Sequence, residues 1–271
     1  MARRGPAVPL TAYQAELGRL LAANRSEDSY LAGGAATLAQ PNTQRYSQEL
    51  DYFHHSPARV ATAYESDRKT LLANHHLVEP ELTLPGHILA IVRRGDLATK
   101  VEWAHDSSWR FMPVMRSEEY GYQLHPVDLA TNKILALAGR AEPRDLLDTV
   151  YFHEHVLELG PLVWAAVGKD PGFSPLSLLE LLRRRGKVRP EDLARLHLVE
   201  PIDLQALKGT WLAALDGAET FVRSRPPEEI GCLYYAPGLE RFVDPNRHDS
   251  GLVVPHFGRP GGVLPRILES G

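Results

Sequence analysis

The chain is poor in cysteine: Cys232 is the only one in 271 residues. An intrachain disulfide is therefore excluded, which fits a reducing compartment. With no second cysteine and no histidine near it, Cys232 reads as a small buried hydrophobe. No apolar run approaches the roughly 18 residues a membrane span needs, and the basic N-terminal stretch lacks the apolar core of a secretory signal. These absences predict a soluble, cytoplasmic protein with no membrane partner. Charge of one sign is also scarce. The 30 Lys and Arg residues against 34 Asp and Glu give a net charge of -4, so there is no global steering toward nucleic acid. No internal repeat is evident. The paired histidines His54-His55 and His75-His76 cannot chelate, because adjacent residues leave opposite sides of a strand or different sides of a helix. They read as polar boundary residues, with His54 near enough to the acidic strand to approach a substrate.

What is present is organised around residues 33–53, GGAATLAQPNTQRYSQELDYF. Tyr30, Leu31 and Ala32 form a short apolar strand running into Gly33-Gly34, and residues 35–39 a turn or short helix. After a polar loop, Glu49-Leu50-Asp51-Tyr52-Phe53 alternates acidic with apolar. On a strand, residues two apart share a face, so Glu49 and Asp51 project together. Like charges so placed repel unless a cation sits between them, and hard carboxylate oxygens suit magnesium. Gly33 and Gly34 leave room for backbone to approach a phosphate. A plain Gly-Gly turn and a solvated edge strand remain the alternative. A third carboxylate, Glu102, stands between Val101 and Trp103 on a later strand.

In order and spacing these elements resemble the AbiEii/AbiGii-type, toxin-like nucleotidyltransferases, a branch of the polymerase-beta-like nucleotidyltransferase superfamily. That superfamily carries a Gly-Gly or Gly-Ser pair, an acidic–apolar–acidic strand and a third acidic residue, matched here by Gly33-Gly34, Glu49-x-Asp51 and Glu102. The Asp-Leu-Ala...Lys segment of the family is matched by Asp128-Leu129-Ala130 with Lys133, and its Arg-Asp-x-x-Asp by Arg144, Asp145 and Asp148. The likeness runs from about Tyr30 to Phe152. It departs at Glu49, where the family usually has Asp. The resemblance implies transfer of a nucleotidyl group from a nucleoside triphosphate. Glu49 and Asp51 would hold Mg2+, with Glu102 as third catalytic carboxylate. Gly33, Gly34 and Lys133 would bind nucleotide, and Asp128, Arg144, Asp145 and Asp148 would support them. It also implies an RNA acceptor, tRNA foremost, and a cognate antitoxin encoded alongside. A catalytically weakened nucleotide-binding or regulatory protein on the same fold is the alternative that Glu49 raises.

By residue type alone, Lys133 reads as a solvated helix lysine. Asp145 and Asp148 sit one turn apart behind Pro143, where acidic residues favour the positive helix end and pair with Arg144 or Arg140. Arg183, Arg184, Arg185, Lys187 and Arg189 form the strongest basic cluster. It suits a phosphate backbone of the acceptor or, equally, a solvated helix end; no aromatic residues interleave with it for base stacking. Hydrophobic periodicity and capping residues place helices at 11–23, 58–75, 126–137 with Gly139 as its stop, from Pro143, at 176–185 and at 204–223. The expected fold is α+β: a nucleotidyltransferase-like domain with a small mixed sheet at 1–125, a helical region at 126–235, and an irregular or partly disordered tail at 236–271.

Overall fold

The computed structural model describes residues 10–38, 40, 43–247 and 252–266. The chain divides into two compact units. The first holds the described residues through Ser108, with Pro113–His125 and His197–Glu200; the second holds Trp109–Met112, Pro126–Leu196 and the described residues from Pro201. The boundary expected near residue 125 is thus crossed twice by short segments.

The first unit begins with helix α1 (Ala12–Leu21), opened by a capping box in which Thr11 and Gln14 satisfy each other's backbone N–H groups. Strand β1 (Ser29–Ala32) runs straight into the one-and-a-half-turn helix α2 (Gly33–Leu38). Strand β2 (Glu49–His54) follows, then α3 (Pro57–Ala73), with Ser56 as side-chain cap and Pro57 in the first turn. Strands β3 (Leu77–Leu84), β4 (His87–Arg94) and β5 (Leu97–His105) form two successive hairpins. After β6 (Trp109–Arg110), which belongs to the second unit, come β7 (Met115–Ser117) and β8 (Gly121–Gln123).

The first unit's seven strands make one mixed sheet in the order β3-β4-β5-β2-β1-β8-β7. β2 is central: it runs antiparallel to β1 and parallel to β5, with Asp51 directly beside Glu102. Leu50, Tyr52, Val101 and Trp103 are fully buried on the other side of the same strands. Burying each such side chain stabilises the unit by about 1.5–3 kcal/mol, and a one-residue slip of β2 would exchange this face for the carboxylates. Behind the sheet, Asp67 on α3 binds Arg25, Asn24 and the Trp103 indole N–H, and Arg25 stacks over the Tyr52 ring.

The second unit is mainly helical: α4 (Pro126–Arg140), α5 (Pro143–His155), α6 (Leu159–Lys169), α7 (Pro175–Arg185), α8 (Pro190–Ala194) and α9 (Leu204–Ser224). Ser174 and Asp203 cap α7 and α9. Gly139 does not end α4. The helix continues to Arg140, and Ala141 takes the left-handed conformation at φ 55°. The tail corrects the expectation of irregular chain. β9 (Cys232–Ala236) pairs with β10 (Arg241–Phe242) and β11 (Val254–Phe257), and β12 (Arg259–Pro260) pairs with β6. The buried His256 ring hydrogen-bonds the Phe111 carbonyl, fastening this tail within its unit. Cys232 is buried, and burial pushes its thiol up to about 12. No helix among the described residues is long and apolar enough to cross a membrane.

Candidate active site

Three carboxylates of the first unit converge. Glu49, Asp51 and Glu102 each offer an oxygen within 4.8 Å of the other two, the one cluster of potential metal-ligating side chains among the described residues. The parallel register of β2 and β5 causes this, since it sets Asp51 level with Glu102 while alternation puts Glu49 on the same face. Asp51 is buried, and Glu49 and Glu102 are half-buried.

The glycine pair holds Asp51. The Gly34 N–H donates to its Oδ2 at 2.8 Å and the Ala35 N–H at 3.4 Å. Gly33 has φ +55°, and a Cβ there would lie 2.3 Å from Asp51 Oδ2. Only glycine meets both demands. The amide expected to face a phosphate is thus directed at the acidic centre. Ser47 Oγ donates to the Glu49 carbonyl at 2.6 Å, bracing the start of β2. Arg45, absent from the sequence-based expectations, is buried, with Nη2 3.6 Å from where a Gly34 Cβ would stand.

Glu102 has a partner that belongs to no sequence motif: His87 Nε2 lies 2.8 Å from Glu102 Oε1. The available signal was the hairpin itself, which sets β4 beside β5. His54 corrects another expectation. Its ring is fully buried and neither nitrogen has a hydrogen-bond partner, so it does not face a substrate. Burial, with the nearby Arg25 and Arg59 charges, pushes it down to about 3.

The remaining expected site residues belong to the second unit. Lys133 is not solvated. Its ammonium lies 2.8 Å from Asp148 and 3.4 Å from Asp145, with both carboxylates buried. Arg140 binds Asp145 as well, at 2.6 and 2.9 Å, as anticipated. Arg144 stands in the first turn of α5. Asp128 is buried and accepts the Phe111 and Met112 N–H groups at 2.7 and 3.0 Å. Desolvation outweighs those bonds and pushes its carboxyl up to about 6. In the basic cluster, Arg183 pairs with Asp216 and Glu219 at 3.2 and 3.4 Å and Arg184 with Glu180, while Arg185, Lys187 and Arg189 are exposed.

The mixed α+β architecture is a nucleotidyltransferase-type fold. Compared with solved structures, the chain is similar to MenT4, a nucleotidyltransferase toxin from Mycobacterium tuberculosis H37Rv, with a TM-score of 0.50 and 18% identity over 80% of this chain and 83% of that one. It also aligns with JHP933 from Helicobacter pylori at a TM-score of 0.47 and 15% identity, over 78% and 90% of the two chains. No family model and no curated protein matches the sequence.

Proposed function

We propose that the chain is a metal-dependent nucleotidyltransferase that moves a nucleotidyl group from a nucleoside triphosphate to a hydroxyl of RNA, tRNA foremost, acting as a toxin restrained by a cognate antitoxin. The observation that carries this reading is the convergence of Glu49, Asp51 and Glu102 on a fold of the nucleotidyltransferase type. The donor set fits magnesium: it offers hard carboxylate oxygens only, gathered within 4.8 Å of one another. Glu49 and Asp51 would hold the ion, which when bound stabilises charge on the transferring phosphoryl group.

The chain's own groups do the rest. Gly34 and Ala35 hold the Asp51 carboxylate, and Gly33 lets it pack directly on the backbone. The acceptor oxygen attacks the α-phosphorus, the bond to the β-phosphate oxygen breaks, and pyrophosphate leaves. Glu102 would join Glu49 and Asp51 at the ion through one oxygen and take the proton from the acceptor hydroxyl. Lys133, shared between Asp145 and Asp148, orders α4 against α5. The exposed Arg185, Lys187 and Arg189 suit a polyanionic acceptor. This reading also takes the protein as cytoplasmic.

Incubation with each labelled triphosphate, Mg2+ and total RNA tests the proposal. Label should enter RNA, fall at high salt and vanish with Asp51→Asn. Label entering protein alone moves the acceptor to a protein hydroxyl. Absence of transfer while triphosphate still binds favours a catalytically weakened nucleotide-binding protein, the reading motivated by Glu49 in place of Asp.

A further inference from the structure

We infer that His87 is a positioning residue for the acidic centre, fixing one oxygen of Glu102 so that the other is presented to the cation; this rests on the metal-dependent reading above. The imidazole is built into place by the β3–β4 hairpin. Leu84 pairs with His87 across a two-residue loop, Pro85-Gly86. Proline followed by a glycine at φ +79° is the order a type II turn requires. A Cβ on Gly86 would press against His105 and Pro57 at 3.3–3.5 Å, and the Gly86 carbonyl accepts the His105 N–H at 2.7 Å. The turn is therefore tied to the end of β5, and the register of β4 on β5 follows.

In that register Leu89 stands directly opposite Glu102, and His87 opposite Ala104. His87 is thus the diagonal neighbour of Glu102 on the same sheet face, within reach of a long side chain. The Nε2–Oε1 separation of 2.8 Å makes Nε2–H the donor. Among the described residues it is the only hydrogen-bond or ionic partner of Glu102. Asp51, by contrast, is held by backbone amides. Glu102 has three side-chain torsions and two carboxylates within 4.8 Å that repel it. Without His87 no hydrogen bond among the described residues opposes its rotation away from them. A partly exposed single pair of this kind adds little to stability, so its loss separates positioning from folding.

The experiment compares the full chain with His87→Gln, which keeps an N–H donor, and His87→Leu, which removes it. Mn2+ binding is measured at one fixed pH by calorimetry and by the electron paramagnetic resonance of the bound ion, without nucleotide or turnover. Loss of an outer hydrogen bond to a ligating group weakens metal binding by about 10–100-fold. His87→Leu should therefore lose at least about tenfold in affinity and change the Mn2+ spectrum. His87→Gln should stay within about threefold, and both should unfold at the native denaturant midpoint. The inference is overturned if His87→Leu binds Mn2+ as the native chain does, or if His87→Gln is as weak as His87→Leu. Asp51→Asn is the control that separates the two readings. Native binding that Asp51→Asn abolishes but His87→Leu leaves intact overturns the positioning role alone. A native chain that binds Mn2+ no better than Asp51→Asn overturns the metal-dependent reading together with it.

Discussion

Replacing Lys133 with Met removes an ammonium that two buried carboxylates share. Methionine keeps most of the aliphatic stem and its helix propensity, so the perturbation is the charge. Lys133 is 6% exposed, Asp145 0% and Asp148 3% by side chain. Removing one partner of a buried ion pair costs about 3–5 kcal/mol, because the other charge stays behind in a poorly solvating site. Arg140 still neutralises Asp145 through two hydrogen bonds, so the expected loss is at the lower end, about 3 kcal/mol. The double variant Lys133→Met/Asp148→Leu removes both charges and should recover at least about 2 kcal/mol of that loss, since apolar replacement of a buried pair is often neutral. Urea unfolding followed by circular dichroism reads both values. A single variant within about 0.5 kcal/mol of the native chain, or losses in the double variant that simply add, would refute the shared-charge argument.

Two further outcomes follow from the first unit. His54 has an ordinary value near 6.5 in the unfolded chain and about 3 when folded; its depressed folded value means the unfolded state binds the extra proton below about pH 6.5, so its contribution to stability is present at neutral pH and falls by about 2 kcal/mol between pH 7 and pH 5. Unfolding at the two pH values should show this loss in the native chain and lack it in His54→Leu; identical pH dependence in both sinks the idea. Gly33→Ala places a methyl where the Asp51 carboxylate packs and forces a residue with Cβ to φ +55°. It should cost at least about 1 kcal/mol and lower Mn2+ affinity at least about tenfold, and unchanged titrations in calorimetry would show that Asp51 can move without consequence.

Much of this was legible because it is local. Ser56-Pro57, Ser174-Pro175 and Asp203 announce helix starts through groups that satisfy the first backbone N–H donors, and those helices begin there. The shared face of Glu49 and Asp51 follows from strand alternation alone. What was missed depends on partners distant in sequence. The periodicity of α4 marks Ala130, Ile134 and Leu137 as its buried side, and Lys133 is buried too because α5 supplies two carboxylates. The tail strands β10 and β12 have two residues each, too few for a periodicity, and β12 pairs with a segment about 150 residues earlier. His87 carries no motif, and its relation to Glu102 exists only once the Pro85-Gly86 turn fixes the hairpin register.

The departure at Glu49 also takes on a physical sense from its surroundings. Glu49 is the first residue of β2, its carbonyl held by the Ser47 hydroxyl, and its backbone is therefore fixed. Asp51 is drawn toward Gly34 and packs directly on Gly33, so it cannot advance to meet a short neighbour. With a side chain one methylene longer than aspartate, Glu49 brings its oxygen to the other two within 4.8 Å. The substitution lengthens one arm of the cluster while the backbone amides at Gly34 and Ala35 hold another and His87 holds the third. Asp51 and Glu102 thus have restraints from different parts of the chain, and Glu49 has the reach to join them. Such restraint is what a cluster of like charges needs if it is to stay assembled until a cation neutralises it.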